Sequence, residues 1–313
     1  MSMPDRNNPY NFEEYLQWRK TVNYYLDDPF FQKVVQYYSG SEWKEIHEEL
    51  TKISEKVSFR WRDFAETISW PEKRPYMMHY DGHRNRIDRI VRPRETEILE
   101  KEVFSEALFS GSTSPWLKLA KMYLIYQNGE ACVACPLTCT EGLVALLDNY
   151  ADAPETRHIL EHCKEGIDGD FAIGAQYLSE IQGGSDVPSN VLEAVQKAGG
   201  WKLYGTKFFC SATHADYAVV TAKPQGSEKV ALFVVPSWLP GNKEKEIRNG
   251  YSIDRIKWKM GTSELTTAEI TYNGAVAYPV GPLDRGVANV VGIVLTYSRL
   301  TVGLSAAAFM ARS

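Results

Sequence analysis

Residues 177–189 have the strongest potential for chemistry in this chain, because two adjacent glycines and a serine follow a β-prone run there. Gly183 and Gly184 carry no side chain, so a large anionic ligand can approach the main chain closely. Successive amide groups in such a turn form an anion-binding concavity, and Ser185 adds a hydroxyl donor beside it. The segment therefore suits a phosphate or pyrophosphate, with an ordinary hairpin loop as the alternative.

A second group of residues has the spacing of metal ligands. Its members are Cys132, Cys135, Cys139, His158, His162 and Cys163. A Cys-x-x-Cys pair and two histidines four residues apart are both recognised in zinc sites. Against a metal, the first three cysteines lie in an apolar stretch of helical character, where cysteine behaves as a small hydrophobic side chain. We therefore predict no metal site.

Charged residues between positions 84 and 102 are segregated by sign. The arginines are Arg84, Arg86, Arg89, Arg92 and Arg94, and the glutamates that follow are Glu95, Glu97, Glu100 and Glu102. A run of arginines can contact nucleic acid phosphates. The acidic stretch directly beyond it favours mutual pairing instead, on a helix or across a subunit contact. With a net charge of −5, nucleic acid is a less favoured partner.

The elements that must position these residues change character after Gly169. Before it, apolar residues recur every three or four positions, most clearly over residues 43–64, which predicts helices up to about residue 165. Ser39 with Glu42 predicts a capping box at the start of one of them. After Gly169, strands are predicted at residues 171–178, 201–209, 217–222, 230–235 and 267–272. A helical pattern returns at Val287.

Composition and the remaining segments bear on the location of the protein. With 44% hydrophobic and 24% charged residues in 313, the chain fits a soluble protein of two or more domains. Five irregularly spaced cysteines indicate a reducing compartment, and Met1–Glu14 lacks the apolar core of a signal peptide, so we expect a cytoplasmic protein. The apolar segment 287–310 has Arg299 at its centre, which predicts a buried helix and no membrane span.

Two longer motifs give the chain a resemblance to a known family. The first is Leu178-Ser179-Glu180-x-x-Gly183-Gly184-Ser185-Asp186-x-x-Ser189, and the second is Gly205-Thr206-Lys207-Phe208-Phe209-Cys210-Ser211. In this order they resemble the flavin-contacting segments of the acyl-CoA dehydrogenase superfamily, apart from Tyr177, where that signature has a small residue. Cys135–Thr140 and Phe233–Pro240 are similar to the alkylation-response, AidB-like branch of the superfamily.

The resemblance implies a fold as well. It is an α+β multidomain fold with an N-terminal all-α domain (residues 1–168), a middle β-sandwich or barrel-like domain that binds flavin (169–285) and the first helix of a C-terminal helical domain (286–313). The order of helices, strands and helix in the sequence agrees with it. The rest of the C-terminal helical domain, well over a hundred residues in the family, is expected to be absent from this chain.

A bound FAD and its contacts are also implied by the resemblance. The residues matching the family's cofactor contacts are Tyr177, Leu178, Ser179, Gly184, Ser185, Phe209, Cys210 and Ser211. Backbone and side chains of residues 177–179 would meet the edge of the flavin ring. Phe209 would pack an aromatic face on that ring. Ser211 would offer its hydroxyl to flavin N5, where a donor favours the reduced ring.

The implied reaction is the α,β-dehydrogenation of an acyl-CoA thioester in fatty acid metabolism, with hydride transfer to flavin N5. For substrate binding, Ser185, Thr296 and Arg299 match the family's positions, although Thr296 replaces an aspartate. Ser298 stands where some family members have their catalytic glutamate, so no catalytic residue is predicted in this chain.

The family's partners complete the expectation. Members assemble as homodimers or homotetramers and pass electrons to an acceptor, expected here to be a flavoprotein. The main alternative function is a protein of the same fold that binds nucleic acid or another partner with little dehydrogenase turnover. A third function, acyl-CoA oxidase, differs in the access of oxygen to the reduced flavin.

Overall fold

The computed structural model describes residues 9–312, apart from the side chain of Cys132. Helices occupy the two ends of this range and most strands its middle. The α-helices are α1 (Glu13–Thr21), α2 (Pro29–Ser39), α3 (Trp43–Glu55), α4 (Arg62–Ile68), α5 (Arg94–Phe104), α6 (Pro115–Tyr126), α7 (Ala134–Tyr150), α8 (Pro154–Lys164), α9 (Gly286–Asn289) and α10 (Leu295–Arg312). The strands are β1 (Tyr76–Tyr80), β2 (Arg86–Val91), β3 (Gly174–Tyr177), β4 (Glu193–Lys197), β5 (Gly200–Ser211), β6 (Tyr217–Pro224), β7 (Ala231–Pro236), β8 (Tyr251–Ile256) and β9 (Thr267–Pro279).

The N-terminal helices follow the apolar periodicity of the sequence. Ile46, Leu50 and Ile53 bury one face of α3, and the helical path continues through the π-helical segment Lys56–Trp61 into α4. The predicted capping box is wrong, because α2 runs through Ser39 and its hydroxyl makes no capping hydrogen bond.

A β-hairpin interrupts the region predicted to be entirely helical. Strands β1 and β2 pair antiparallel, and the hairpin lies against the distant strand β8. The buried Asp88 carboxylate accepts the main-chain N–H of Ile253 at 3.0 Å, and Arg248 donates to the Asp88 carbonyl oxygen at 2.9 Å. The all-helical prediction is therefore wrong over residues 76–91. Its local pattern is short, and the partner that fixes these strands lies about 165 residues later in the chain.

The middle of the chain forms a closed β-barrel. Five strands pair in a ring in the order β6, β4, β5, β9, β7, and β7 closes the ring by pairing antiparallel with β6. Strand β3 adds to β6 in parallel, and β8 adds to β9. Closure buries the alternate side chains of long strands such as β5 and β9. Of these seven strands, β4 and β8 were not predicted.

Three elements from different parts of the chain meet at one side of the barrel: α7, β3 and the start of the last helix. A Cβ atom at Gly142 would overlap Gln176 Nε2 and would lie 3.1 Å from the Val294 carbonyl oxygen, so a side chain there would displace Gln176. The Gln176 amide donates to the Cys139 carbonyl oxygen at 3.3 Å, and Ser298 Oγ donates to Gln176 Oε1 at 3.4 Å. The last helix is thereby attached to the barrel.

The surface of this last helix differs from the prediction. Helical residues 286–312 are long and apolar enough, by length and composition, to cross a membrane, and 17% of the most apolar window is buried. Leu300, Val302 and Met310 are exposed, as is Arg299. α6 and α7 cover one side of this helix and leave the other exposed. The prediction that the helix is buried is therefore wrong for the described residues. The absence of a membrane span stays a prediction.

Candidate functional site

The two motifs that the sequence singles out are adjacent in the structure. The main chain leaves β3 at Tyr177, and the Ser179 carbonyl oxygen accepts the N–H of Phe208 at 2.9 Å. Phe208 belongs to β5, so this hydrogen bond places residues 178–179 beside residues 208–211. A ligand that contacts one motif can therefore contact the other.

A buried ion pair holds the two motifs together. Lys207 Nζ lies 2.7 Å from Glu180 Oε1, and both side chains are almost entirely buried. Lys207 also donates to the Leu178 carbonyl oxygen at 3.2 Å, while the Glu180 carboxylate accepts the N–H groups of Val191 and Leu192. Burial would raise the pKa of Glu180, but Lys207 and these N–H groups lower it. The pair is thus fully bonded, as a buried charge requires.

The glycine loop follows directly and is open to solvent. Gly183 has a φ of 142°, which side chains rarely tolerate, and it exchanges backbone hydrogen bonds with Glu180. At Gly184 the constraint is a close approach, since a Cβ atom there would lie 2.5 Å from the Ser179 hydroxyl oxygen. Gly184 and Ser185 are exposed. Main chain and hydroxyl groups are therefore presented together on one surface.

The end of β5 supplies an aromatic surface and a hydroxyl. The Phe209 ring is 46% exposed, which is unusual for a large apolar side chain in mid-sheet. The Ser211 hydroxyl lies 3.0 Å from that of Thr267, the residue paired with Ser211 on β9. The ammonium group of Lys257 lies 3.4 Å from the centroid of the Phe208 ring. A flat ligand can stack on Phe209 with hydrogen-bonding groups at its side.

Two predicted contacts are corrected by burial. The Tyr177 side chain is 4% exposed, and its hydroxyl donates to the Ala212 carbonyl oxygen at 3.4 Å, so its predicted side-chain contact with a ligand is wrong. Cys210 is completely buried, because its side chain points into the barrel between the outward-facing Phe209 and Ser211. At Tyr177 and Cys210, a ligand can therefore contact the main chain but not the side chain.

The predicted substrate residues lie on α10 and in the glycine loop. Thr296 and Arg299 are both exposed, and the Thr296 hydroxyl donates to the Val291 carbonyl oxygen of its own helix at 3.1 Å. Ser298, at the position where some family members have a glutamate, faces Gln176. Among the contacts recorded for residues 9–312, none joins Arg299 or Thr296 to Ser185.

The arginine–glutamate run and the cysteine–histidine group of the sequence analysis contact other side chains of the protein. Arg92 donates to Glu100 through two hydrogen bonds of 2.9 Å, as the predicted pairing requires, whereas Arg89 pairs with the distant Glu246. Cys135 and Cys139 have their sulfur atoms 3.8 Å apart, and His162 faces the Tyr217 hydroxyl. In the part of the chain that the structure describes, no group of three or more such side chains is arranged to hold a metal ion.

Sequence reasoning missed the residues that support the site. Glu180, Lys207, Thr267 and Lys259 were given no role, although the first two lie inside the quoted motifs. A detectable signal existed for the pair, because Glu180 and Lys207 are opposite charges in two motifs expected to meet. Thr267 had no local signal, since its contact with Ser211 comes from the register between β5 and β9, and Lys259 lies in the connection between β8 and β9.

Comparison with known proteins bears on the origin of this site. Residues 175–275 match the acyl-CoA dehydrogenase middle domain. Among curated proteins, the chain is 26% identical over 312 residues to acyl-CoA dehydrogenase family member 11 of Caenorhabditis elegans, an alignment covering 93% of this chain and 49% of that protein. It is 24% identical over 228 residues to AidB of Escherichia coli, covering 68% and 41%.

Solved structures give the same fold. The crystal structure of Caenorhabditis elegans ACDH-11 in complex with C11-CoA matches with a TM-score of 0.84 at 24% identity, covering 93% of this chain and 51% of that one. An acyl-CoA dehydrogenase complexed with FAD from Bacillus anthracis matches with a TM-score of 0.55 at 17% identity, covering 80% and 40%.

The chain thus spans about half the length of the first of these relatives. The predicted fold, with a helical N-terminal region, a barrel-like middle domain and a following helix, is confirmed. The match to AidB agrees with the branch that the motifs indicate. Residues 175–275 thus match the acyl-CoA dehydrogenase middle domain, and the chain as a whole is similar in sequence and fold to acyl-CoA dehydrogenases.

Proposed function

We propose that this protein is an FAD-dependent oxidoreductase that introduces a double bond into an acyl-CoA thioester. One observation carries the proposal: the exposed ring of Phe209 and the hydroxyl of Ser211 lie at the end of β5, joined to the glycine loop through the hydrogen bond between Phe208 and Ser179. This combination offers stacking, a hydroxyl donor and open main chain to one extended ligand.

The residues present fit FAD. A Cβ atom at Gly183 would meet nothing within 4 Å, so the space beside the loop is open, and at Gly184 the position of a Cβ is filled by the Ser179 hydroxyl. We assign Leu178, Ser179, Phe209 and Ser211 to the flavin ring, and Gly184 with Ser185 to the pyrophosphate or adenosine arm. FAD, when bound, supplies the redox chemistry. The chain contributes binding, orientation and hydrogen-bond donors.

The substrate and partners are inferred from the relatives and from α10. The ACDH-11 structure contains C11-CoA, and Arg299 of this chain is exposed, so its guanidinium is accessible to an anionic CoA group. We further propose a homo-oligomer that transfers electrons to a flavoprotein acceptor. No residue of this chain is assigned as the catalytic base, since Ser298 bonds to Gln176 and carries no carboxylate.

The test is a visible absorption spectrum of the purified full-length protein with FAD, recorded without oxygen before and after the addition of acyl-CoA thioesters. We expect flavin bands that bleach with at least one thioester and stay unchanged with free CoA. A protein that binds FAD but bleaches with no thioester would contradict the dehydrogenase activity and favour a binding protein. A protein that takes up no FAD would contradict the proposal altogether.

A further inference from the structure

A chain of three side chains ends at the Ser211 hydroxyl. Lys259 Nζ donates a hydrogen bond of 2.9 Å to Thr267 Oγ1, and Thr267 Oγ1 lies 3.0 Å from Ser211 Oγ. Thr267 is completely buried, whereas Lys259 and Ser211 are half-buried. This chain of hydrogen bonds therefore runs from a cation to the hydroxyl beside Phe209.

The hydrogen positions along this chain follow from the donor inventory. A lysine ammonium group has no acceptor, so Thr267 must accept from Lys259. If Ser211 also donated to Thr267, the Thr267 hydrogen would need another acceptor, and none is recorded among the described residues at this buried site. A buried donor without a partner costs about 1–3 kcal/mol. Thr267 therefore donates to Ser211, which leaves the Ser211 hydrogen free for a ligand.

Lys259 also brings a positive charge close to Thr267 without a direct ion pair to an acid among the described residues. The neighbouring Lys257 pairs with Glu269 at 2.7 Å, but in the described part of the chain Lys259 forms no ion pair and bonds to the hydroxyls of Thr262 and Thr267. Burial lowers the pKa of Lys259, while Glu130 acts in the opposite direction. A positive charge at this distance favours electron density on a ligand at Ser211.

We propose that Lys259 is a positioning residue that acts through Thr267: it sets Ser211 as a hydrogen-bond donor toward the flavin and raises the reduction potential of the flavin. This inference rests on the proposed binding of FAD. It adds two residues to the site, neither of which needs to touch the cofactor.

The experiment measures the reduction potential and the FAD dissociation constant of the full-length protein and its variants. Thr267→Val and Lys259→Met should each make reduction less favourable by about tenfold, a shift of about 30 mV to more negative potential for a two-electron couple. Thr267→Ser keeps the hydroxyl and Lys259→Arg keeps the charge, so both variants should have reduction potentials close to that of the wild type. Thr271→Val is the matched control, because Thr271 forms a similar hydroxyl pair with Thr206 on the same two strands at 3.3 Å.

The outcomes separate the two proposals. Unchanged potentials in both Thr267→Val and Lys259→Met, with FAD bound, would overturn the role of Lys259 and leave the proposed function standing. An equal shift in Thr271→Val would also overturn it, because the effect would then be a general one of the barrel wall. Failure of the wild-type protein to bind FAD would overturn both.

Discussion

The contact between Ser179 and Gly184 depends on the hydrogen atom that Gly184 has in place of a side chain. A Cβ atom on Gly184 would lie 2.5 Å from the Ser179 hydroxyl oxygen, so the glycine leaves room for this hydroxyl in its present orientation. The backbone of Gly184 is not in the positive-φ region, so alanine meets no conformational barrier there. What a methyl group would change is the orientation of Ser179.

We therefore expect Gly184→Ala to weaken FAD binding by about tenfold while the free energy of unfolding falls by about 1 kcal/mol or less, because a serine side chain turns to another rotamer at little cost. Fluorescence titration with FAD and urea denaturation give the two quantities. Gly199→Ala is the control, since a Cβ there meets nothing within 4 Å and its backbone φ is also ordinary. Equal loss of FAD affinity in the two variants would contradict the role given to Ser179.

At the scale of elements, the ion pair of Glu180 and Lys207 connects the loop after β3 to β5. Its charges are buried, and each has several hydrogen-bond partners. Removing one partner leaves the other charge buried and uncompensated, which is the costly case for buried pairs.

We expect Lys207→Met to lower the free energy of unfolding by about 3–5 kcal/mol, and Glu180→Gln by a similar amount. The double variant should cost clearly less than the sum, because neither charge is then left alone. Lys52→Met, which removes the exposed pair with Glu49, should leave the free energy of unfolding nearly unchanged. Additive effects of Glu180→Gln and Lys207→Met in urea denaturation would refute the coupling.

The sequence predicted the elements whose signals are local and missed those that depend on distant partners. The β5 and β9 strands and the two motifs have strong β-branched, aromatic or glycine patterns, and they were found. The β1–β2 hairpin was missed because distant contacts with β8 fix it, such as the hydrogen bond from the Ile253 N–H to the Asp88 carboxylate. Tyr177 was given a wrong contact because the alternation of a strand does not reveal which face is closed by a barrel.

At the scale of the whole molecule, one buried network ties the helical region to the barrel. Glu100 of α5 accepts from Arg92 and lies 2.7 Å from Nε2 of His214. His214 is three residues beyond Ser211 and in turn contacts Thr266, which directly precedes β9. Burial opposes ionisation of Glu100, but His214 and Arg92 outweigh it and lower its pKa from 4.5 to about 2.

Because the pKa of Glu100 is lowered in the folded state, the free energy of unfolding depends on pH in the acidic range. The Glu100 contribution is complete above pH 5 and is lost as the pH falls toward 2, where the carboxylate takes up a proton in the folded state as well. It amounts to about 3 kcal/mol at most. Urea denaturation at pH 3 to 6 should show the stability difference between wild type and Glu100→Gln shrinking as the pH falls. Glu97→Gln, an exposed position on the same helix, is the matched control.

The hairpin that covers β8 has a consequence for self-association. An outermost strand offers a row of unused N–H and C=O groups that can recruit a strand from another molecule. Here side chains occupy those groups, since Asp88 accepts from the Ile253 N–H and Arg86 donates to the Ile253 carbonyl oxygen at 3.3 Å. The hairpin thus caps the rim of the barrel with charge rather than with another strand. At Ile253, therefore, no main-chain group is left free to pair with a strand of another molecule.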